Sequence, residues 1–325
     1  MSVNAQEKTK EFRDSLVQMF ISALEEKQLD WKQGWQGIEL QAPVNYANGT
    51  RYKGINRLYL SLCMMKFGWE DYRFMTINQV KAKGWKISKG AKSCKVEYWM
   101  PFDFKNKQVI TWAEYNEILE KIKTDNDSEE KVGLVAKYYN VFNGIFIEGI
   151  PFLQVGTVSE SIKPDDLIAR LSSGMGVEIL NDGGNQAFYR PSEDKIHLPM
   201  ASAFYSDYDY NSTALHELAH STGAERRLNR DLSGHFGSES YAKEELVAEI
   251  TSAFMGIYLS GDGQKSDFSN HKAYVQSWIQ AIKDKPSSLF EAIKQAEKAS
   301  SYMEKMAGLV KKNNTNEKTA ENAAA

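Results

Sequence analysis

The chain has 325 residues, 42% hydrophobic and 26% charged, with a formal net charge of −3, which excludes an intrinsically disordered polymer and leaves room for two domains with cores of their own. No apolar run reaches the roughly 20 residues that span a bilayer, and the opening MSVNAQEKTKEFRDSL lacks the apolar core of a secretory signal, so a cytoplasmic protein with no membrane partner is expected. Cys63 and Cys94 are too few for a disulfide scaffold and do not form a CxxC pair, so both read as small buried residues.

In chain order, residues 7–29 place Phe12, Leu16, Met19, Phe20, Ala23 and Leu24 at helical spacing. Trp31 and Trp35 follow in the aromatic–basic stretch DWKQGW, and Asn48-Gly49 marks a turn. Leu58, Leu60, Leu62 and Met65 predict a helix leading to Gly68. Next come a short helix around Asn78 to Lys83, a turn at Gly84, and strand-like segments separated by Lys89-Gly90. Val96, Tyr98 and Phe102 continue the alternation, and residues 138–146 read as the last strand of a mixed α+β domain over residues 1–150. The acidic stretch 113–131 reads as a peripheral insertion in it. Residues 151–164 read as a linker, 165–310 as a mainly helical second domain with a small sheet, and 311–325, poor in apolar residues, as a disordered tail.

Charge divides the chain more sharply than its net value suggests. Arg51 to Lys107 carries 13 Lys+Arg against 4 Asp+Glu, a net of +9, which leaves −12 for the remainder. That asymmetry points to a basic module built for a polyanion beside an acidic module that is not.

Residues 216–220 read HELAH. On a helix His216 and His220 lie one turn apart on one face, where both imidazoles can reach one zinc ion, with Glu217 beside them to activate water. Asn211, Ser212 or Thr213 could cap such a helix, Ala214, Leu215, Leu218 and Ala219 give it an apolar side, and Gly223 could end it. A third ligand is needed. Arg226 stands where the HExxHxxGxxH pattern requires histidine, so that arrangement is excluded. His235, in a Gly/Ser-rich loop, and Glu244, Glu245 and Glu249, on a second helix over Tyr241 to Leu259, are the candidates.

The ExxAE of that second helix resembles the ligand helix of glutamate-ligand zincins. The resemblance implies Glu245 as the third metal ligand and Glu249 as the acid that orients a ligand histidine. Glu244, about 100° round the helix from Glu245, is then expected to be solvated. Within the same resemblance, Ile196 to Leu198 lies on a strand ahead of the metal helix and is a candidate edge for an extended peptide. His197 on that strand reads as structural. Tyr274, Trp278, Ile282, Leu289, Phe290 and Ile293 mark two further helices split near Pro286.

Taken together, W31KQGW35, G49TRYKGIN56, R73FMTINQ79, G84WKISKGAKS93, V141FN143, TALHELAHSTG, RLNRDL and FGSESYAKEELVAE resemble the ArdC-type antirestriction proteins over roughly residues 7–305. That resemblance implies a single-strand-DNA-binding domain followed by a zincin-like metallopeptidase domain, holding zinc or manganese, with an unidentified protein substrate. Single strands bind through a basic groove along the phosphates and aromatic faces under the bases. Trp31, Trp35, Arg51, Tyr52, Lys53, Asn56, Arg57, Arg73, Lys81, Trp85, Lys86, Lys89 and Lys92 are the candidate DNA contacts. Two other readings fit the same residues: a cytoplasmic metallopeptidase acting on an acidic protein, and a DNA-coating protein with a non-catalytic metal site.

Overall fold

The alternation along residues 93–103 and 132–143 becomes the longest strand pairing in the computed structural model, which describes residues 3–26, 42–125, 130–153, 164–235, 238–259 and 271–309. The first elements in order are α1 (Val3–Glu26), β1 (Val44–Asn45), β2 (Thr50–Arg51), α2 (Gly54–Phe67), β3 (Arg73–Thr76), α3 (Ile77–Ala82), β4 (Lys86–Ile87), β5 (Ser93–Asp103), β6 (Gln108–Val109), α4 (Trp112–Thr124), β7 (Val132–Asn143) and β8 (Ile147–Glu148). They are followed by α5 (Pro164–Met175), β9 (Glu178–Leu180), β10 (Phe188–Arg190), β11 (Lys195–His197), α6 (Asp207–Ser221), α7 (Glu239–Met255), α8 (His271–Asp284) and α9 (Ser287–Met306). The predicted linker falls largely, and Trp31, Trp35 and the C-terminal tail fall wholly, outside the described residues.

Residues 1–16 and 74–149 form one compact unit, and residues 17–73 and 150–325 form the other. In the first, β3, β7, β5 and β6 are antiparallel neighbours in that order. Phe12 of α1 lies 5.7 Å from the Tyr138 ring on β7, and the Tyr138 hydroxyl donates to Thr9 Oγ1 at 2.9 Å. The acidic stretch is not loose: Thr111 and Glu114 form a capping box that starts α4, which has no buried side chain and stays peripheral. Thr76 and Gln79 start α3 in the same way. The chain then turns at Gly84 into β4, which pairs with β8. Gly149 has a φ of 96°, and a Cβ there would lie 2.6 Å from the Trp85 ring, so that indole is packed against the glycine backbone.

The second unit takes in more of the N-terminal sequence than a linear division at residue 150 allows. Helix α2 buries Leu58, Leu60, Leu62 and Met64 and packs against α9. Its Arg57 is 6% exposed, donates to the Phe254 carbonyl at the end of α7 at 2.5 Å, and lies 4.2 Å over the Phe254 ring. The Gly54 N–H at the start of α2 donates to Glu297 of α9 at 2.9 Å. Arg51 donates to the Tyr258 hydroxyl at 2.8 Å, with Glu304 at 3.7 Å. Around them α5, α6, α7 and α9 enclose one apolar cluster that includes Leu171, Ile196, Leu198, Leu215, Leu218, Met255 and Met303. Pro286 separates α8 from α9, as the sequence indicates.

The small sheet of this unit corrects one expectation. Its order is β10-β11-β9, with β11 antiparallel to β10 and parallel to β9. Ile196 to Leu198 is therefore central and not an edge. The Leu198 N–H donates to Leu180 and its carbonyl accepts from Gly183, so no main-chain groups remain there for an added peptide strand.

Arg57→Ala removes a charge-assisted hydrogen bond and a ring contact from a buried site, and is expected to lower the unfolding free energy by about 3 kcal/mol. Urea denaturation of the full chain measures it. A loss within about 0.5 kcal/mol, the range of ordinary surface substitutions, would show that this guanidinium does not hold α2 to α7.

Candidate metal centre

Helix α6 starts one turn earlier than the sequence suggests. Ser206, not Asn211, Ser212 or Thr213, is its cap, and its hydroxyl accepts the Asp209 N–H. Ala214, Leu215, Leu218 and Ala219 are buried in the apolar cluster and fix the helix's rotation. That rotation turns His216 and His220 toward α7, which is capped by Ser238 and carries Glu244, Glu245 and Glu249.

The Nε2 atoms of His216 and His220 are 3.1 Å apart. Glu245 Oε2 lies 3.5 Å from the first, and Glu245 Oε1 lies 3.3 Å from the second. Bonds of about 2.0–2.2 Å to one tetrahedral ion separate donor atoms by roughly 3.3–3.6 Å, so the three side chains fit a divalent cation with a position left for water or substrate. Among the described residues they are the one group of three His, Cys, Asp or Glu side chains close enough to share an ion. His235 is exposed and outside it.

Each imidazole offers its other nitrogen to a carboxylate. Glu249 Oε2 is 3.4 Å from His216 Nδ1, within reach to orient that imidazole. Glu244 departs from expectation: its side chain is 11% exposed and its Oε1 is 3.3 Å from His220 Nδ1. A separation of about 100° on α7 does not place Glu244 in solvent, because His220 reaches between the two adjacent glutamates. Arg230, 6% exposed, grips Glu244 with two bonds, Nε to Oε2 at 2.8 Å and Nη2 to Oε1 at 2.6 Å. Sequence reasoning missed both roles. The available signal was a pair of adjacent glutamates beside a nearby arginine in RLNRDL, which becomes specific only once α6 and α7 are placed. Gly223 does not end the helix through a left-handed turn. A Cβ there would lie 2.8 Å from Leu232 and 3.1 Å from Arg230 Nη2, so its bareness lets Arg230 in.

Glu217 is buried on α6 beside the two candidate ligand histidines. His197 lies elsewhere, with Nδ1 2.7 Å from Asp182 and its ring stacked on Phe188, as a structural histidine would.

The candidate DNA contacts separate into two groups. Arg57 faces inward as described above. Arg73, 5% exposed, pairs bidentately with Asp71, donates to the Pro151 carbonyl and stacks over Tyr46. Both guanidiniums are satisfied within the second unit and turned away from a phosphate, which corrects their assignment. Also in that unit, Arg51 and Lys53 are exposed, while Tyr52 and Asn56 are half-buried. Burial pushes the Tyr52 phenol well above its ordinary value. In the first unit Lys81, Lys86, Lys89 and Lys92 are exposed around α3, β4 and the Gly90 turn, with Trp85 half-buried among them.

A family model described as the N-terminal domain of the anti-restriction factor ArdC matches residues 10–142, and one described as a zincin-like metallopeptidase matches residues 167–295. Among curated proteins, a DNA primase TraC of Escherichia coli is 36% identical over 304 residues, 91% of this chain. The chain spans only 20% of that relative's length. Crystal structures of the antirestriction protein ArdC from plasmid R388, one metal-free and one with Mn(II) bound, each align with a TM-score of 0.68 at 28% identity. The alignments cover 92% of this chain and 98% and 99% of those chains. The ligand set, the zincin-like family and the Mn(II)-bound relative together support a divalent metal here.

His216→Ala or His220→Ala is expected to abolish metal binding and Glu245→Gln to weaken it strongly, with Glu249→Gln costing roughly 10–100-fold. Metal analysis after dialysis and titration calorimetry measure these, and a larger loss for Glu249→Gln than for Glu245→Gln would exchange their roles.

In the metal-free protein burial opposes a charged His216, but Glu245 and Glu249 outweigh it and raise its pKa to about 9. Burial likewise opposes a charged His220, and Glu244 and Glu245 raise it well above its usual value. Burial also pushes the Glu245 carboxyl up, yet the two imidazoles hold it far below the carboxylate range. The stability contributed by His216 is complete below its unfolded value of 6.5 and is lost as pH rises through about 9. The Glu245 contribution is present above 4.5 and fades in acid. Metal-free protein is therefore expected to melt at progressively lower temperature as pH rises from about 6.5 to 9, while metal affinity increases over that window because the cation displaces those protons. Thermal melts with chelator, set beside metal titrations at the same pH values, test both trends.

Proposed function

We propose that this chain, whose two halves match an ArdC N-terminal domain and a zincin-like metallopeptidase and whose fold is similar to that of ArdC, is an antirestriction protein of a mobile element. On this reading it binds single-stranded DNA without sequence preference and carries a metal-dependent, peptidase-like centre, with zinc or manganese as its cation. The observation that carries the reading is the joint presence of two features: the complete His216–His220–Glu245 ligand set and the exposed lysines Lys81, Lys86, Lys89 and Lys92 around Trp85. An antirestriction protein and a DNA primase among the relatives also support DNA as the partner.

A divalent cation bound by His216, His220 and Glu245 supplies Lewis-acid polarisation of a carbonyl and a lowered pKa for water. Glu217, next to His216 in the sequence and shielded from bulk solvent, would take a proton from attacking water and return it to the leaving amine. Glu249 and Glu244 hold the ligand imidazoles in one orientation. Glu217→Gln is accordingly expected to retain metal and lose hydrolysis. Its protein substrate would be sought among host factors that meet the incoming strand.

Binding of the full chain to single-stranded DNA, duplex DNA and an acidic polypeptide across a salt series tests the partner. Tight, sequence-indifferent binding to single strands is expected. Lys81→Ala, Lys86→Ala and Lys89→Ala should each flatten the plot of log affinity against log salt by about 0.7, the value per single-strand phosphate. Trp85→Ala should lose roughly 1–3 kcal/mol with the slope nearly unchanged. Preference for the polypeptide would overturn the DNA reading in favour of a peptidase with an acidic protein substrate.

A further inference from the structure

Arg230 lies in the loop between α6 and α7, and its guanidinium makes four hydrogen bonds. Besides the two bonds to Glu244, Nη1 donates to Thr222 Oγ1 at 2.6 Å and Nη2 donates to the Ala219 carbonyl at 3.0 Å. Arg230 thus joins the C-terminal end of α6, immediately around His220, to the carboxylate on α7 that faces His220 Nδ1. The loop is itself fixed by Arg230 N–H to the Gly223 carbonyl at 2.9 Å and Leu228 N–H to the Thr222 carbonyl at 2.9 Å. Arginine suits this place because its planar fork satisfies a carboxylate bidentately and still has donors for the helix end, which an ammonium group cannot match geometrically.

We propose that Arg230 and Glu244 act as a positioning pair for His220, so that metal affinity depends on the loop after the metal helix as well as on the ligands. This rests on the reading of His216, His220 and Glu245 as a cation site. The two imidazoles are then held differently. His216 depends on Glu249, from the same helix as the Glu245 ligand. His220 depends on a carboxylate whose own direction is set from outside the helix pair. Without the Arg230 fork, Glu244 is free to rotate from Nδ1, and the Nε2 lone pair loses its fixed aim at the ion. Neither residue touches the cation, so both act through His220.

The test measures Zn(II) and Mn(II) affinity of the full chain by competition with a chromophoric chelator, alongside the thermal midpoint of the metal-free protein. Glu244→Gln and Arg230→Ala are each expected to weaken binding roughly 10–100-fold, while the double variant is no weaker than the worse single one. Arg230→Lys should recover little, whereas Glu239→Gln, an exposed change on the same helix, should leave affinity unchanged. A structural role alone would not move a second readout: the Nδ1–H proton of His220 in the zinc-loaded protein, shifted downfield by a carboxylate acceptor, should move upfield in Glu244→Gln. Should Arg230→Ala prove unfolded, Glu244→Gln with its proton signal decides the matter alone. Wild-type affinity in Glu244→Gln, with the His220 proton unmoved, overturns the proposal. Failure of the unaltered protein to bind either ion would instead overturn the cation site beneath it.

Discussion

The geometry of the centre depends on a single demand: two imidazoles and three carboxylates must be withdrawn from water between α6 and α7 without leaving any of them unpaired. A buried charge with no partner costs several kcal/mol, and each of these five groups has one. Glu245 faces both Nε2 atoms, Glu249 and Glu244 take one Nδ1 each, and Arg230 balances the excess negative charge. The surrounding architecture follows from that demand. Ser206 and Ser238 start the helices at the right turns, and the apolar cluster beneath α6 sets its rotation.

How much of this was legible from sequence depends on how local each feature is. The HELAH spacing acts within one helical turn, so His216 and His220 could be placed on one face without knowing the fold. Glu245 could be singled out only by resemblance, because nothing in one helix says where another will cross it. Glu244 was misread for the same reason: helical geometry gave its angle to Glu245 correctly but not the position of His220 between them. Ile196 to Leu198 alternates as a strand should, yet its place between β10 and β9 is set by residues up to about 18 positions away along the chain. The turns at Gly49, Gly84 and Gly90, all at positive φ, were legible because glycine's freedom acts on its own backbone.

Counting basic residues raises a similar difficulty. The segment from Arg51 to Lys107 is strongly basic, but of its three arginines only Arg51 is exposed. Arg57 and Arg73 are drawn inside, where a flat, many-donor group can satisfy carbonyls, carboxylates and rings together. The lysines around β4 stay in water. Guanidinium is more weakly hydrated than ammonium, so it pays less to be buried. In a basic stretch with aromatic neighbours, lysines are consequently the better guide to an exposed field.

Helix α2 has a bearing on how such a chain can be cut and recombined. Its residues fall within the match to the ArdC N-terminal domain, yet its backbone and side chains complete the C-terminal unit against α9 and at the end of α7. Joining the second half to a foreign leader at residue 150 would leave the apolar face of α9 without its cover and the Phe254 carbonyl without its donor. The match to the much longer TraC likewise runs through both regions together, over 304 residues.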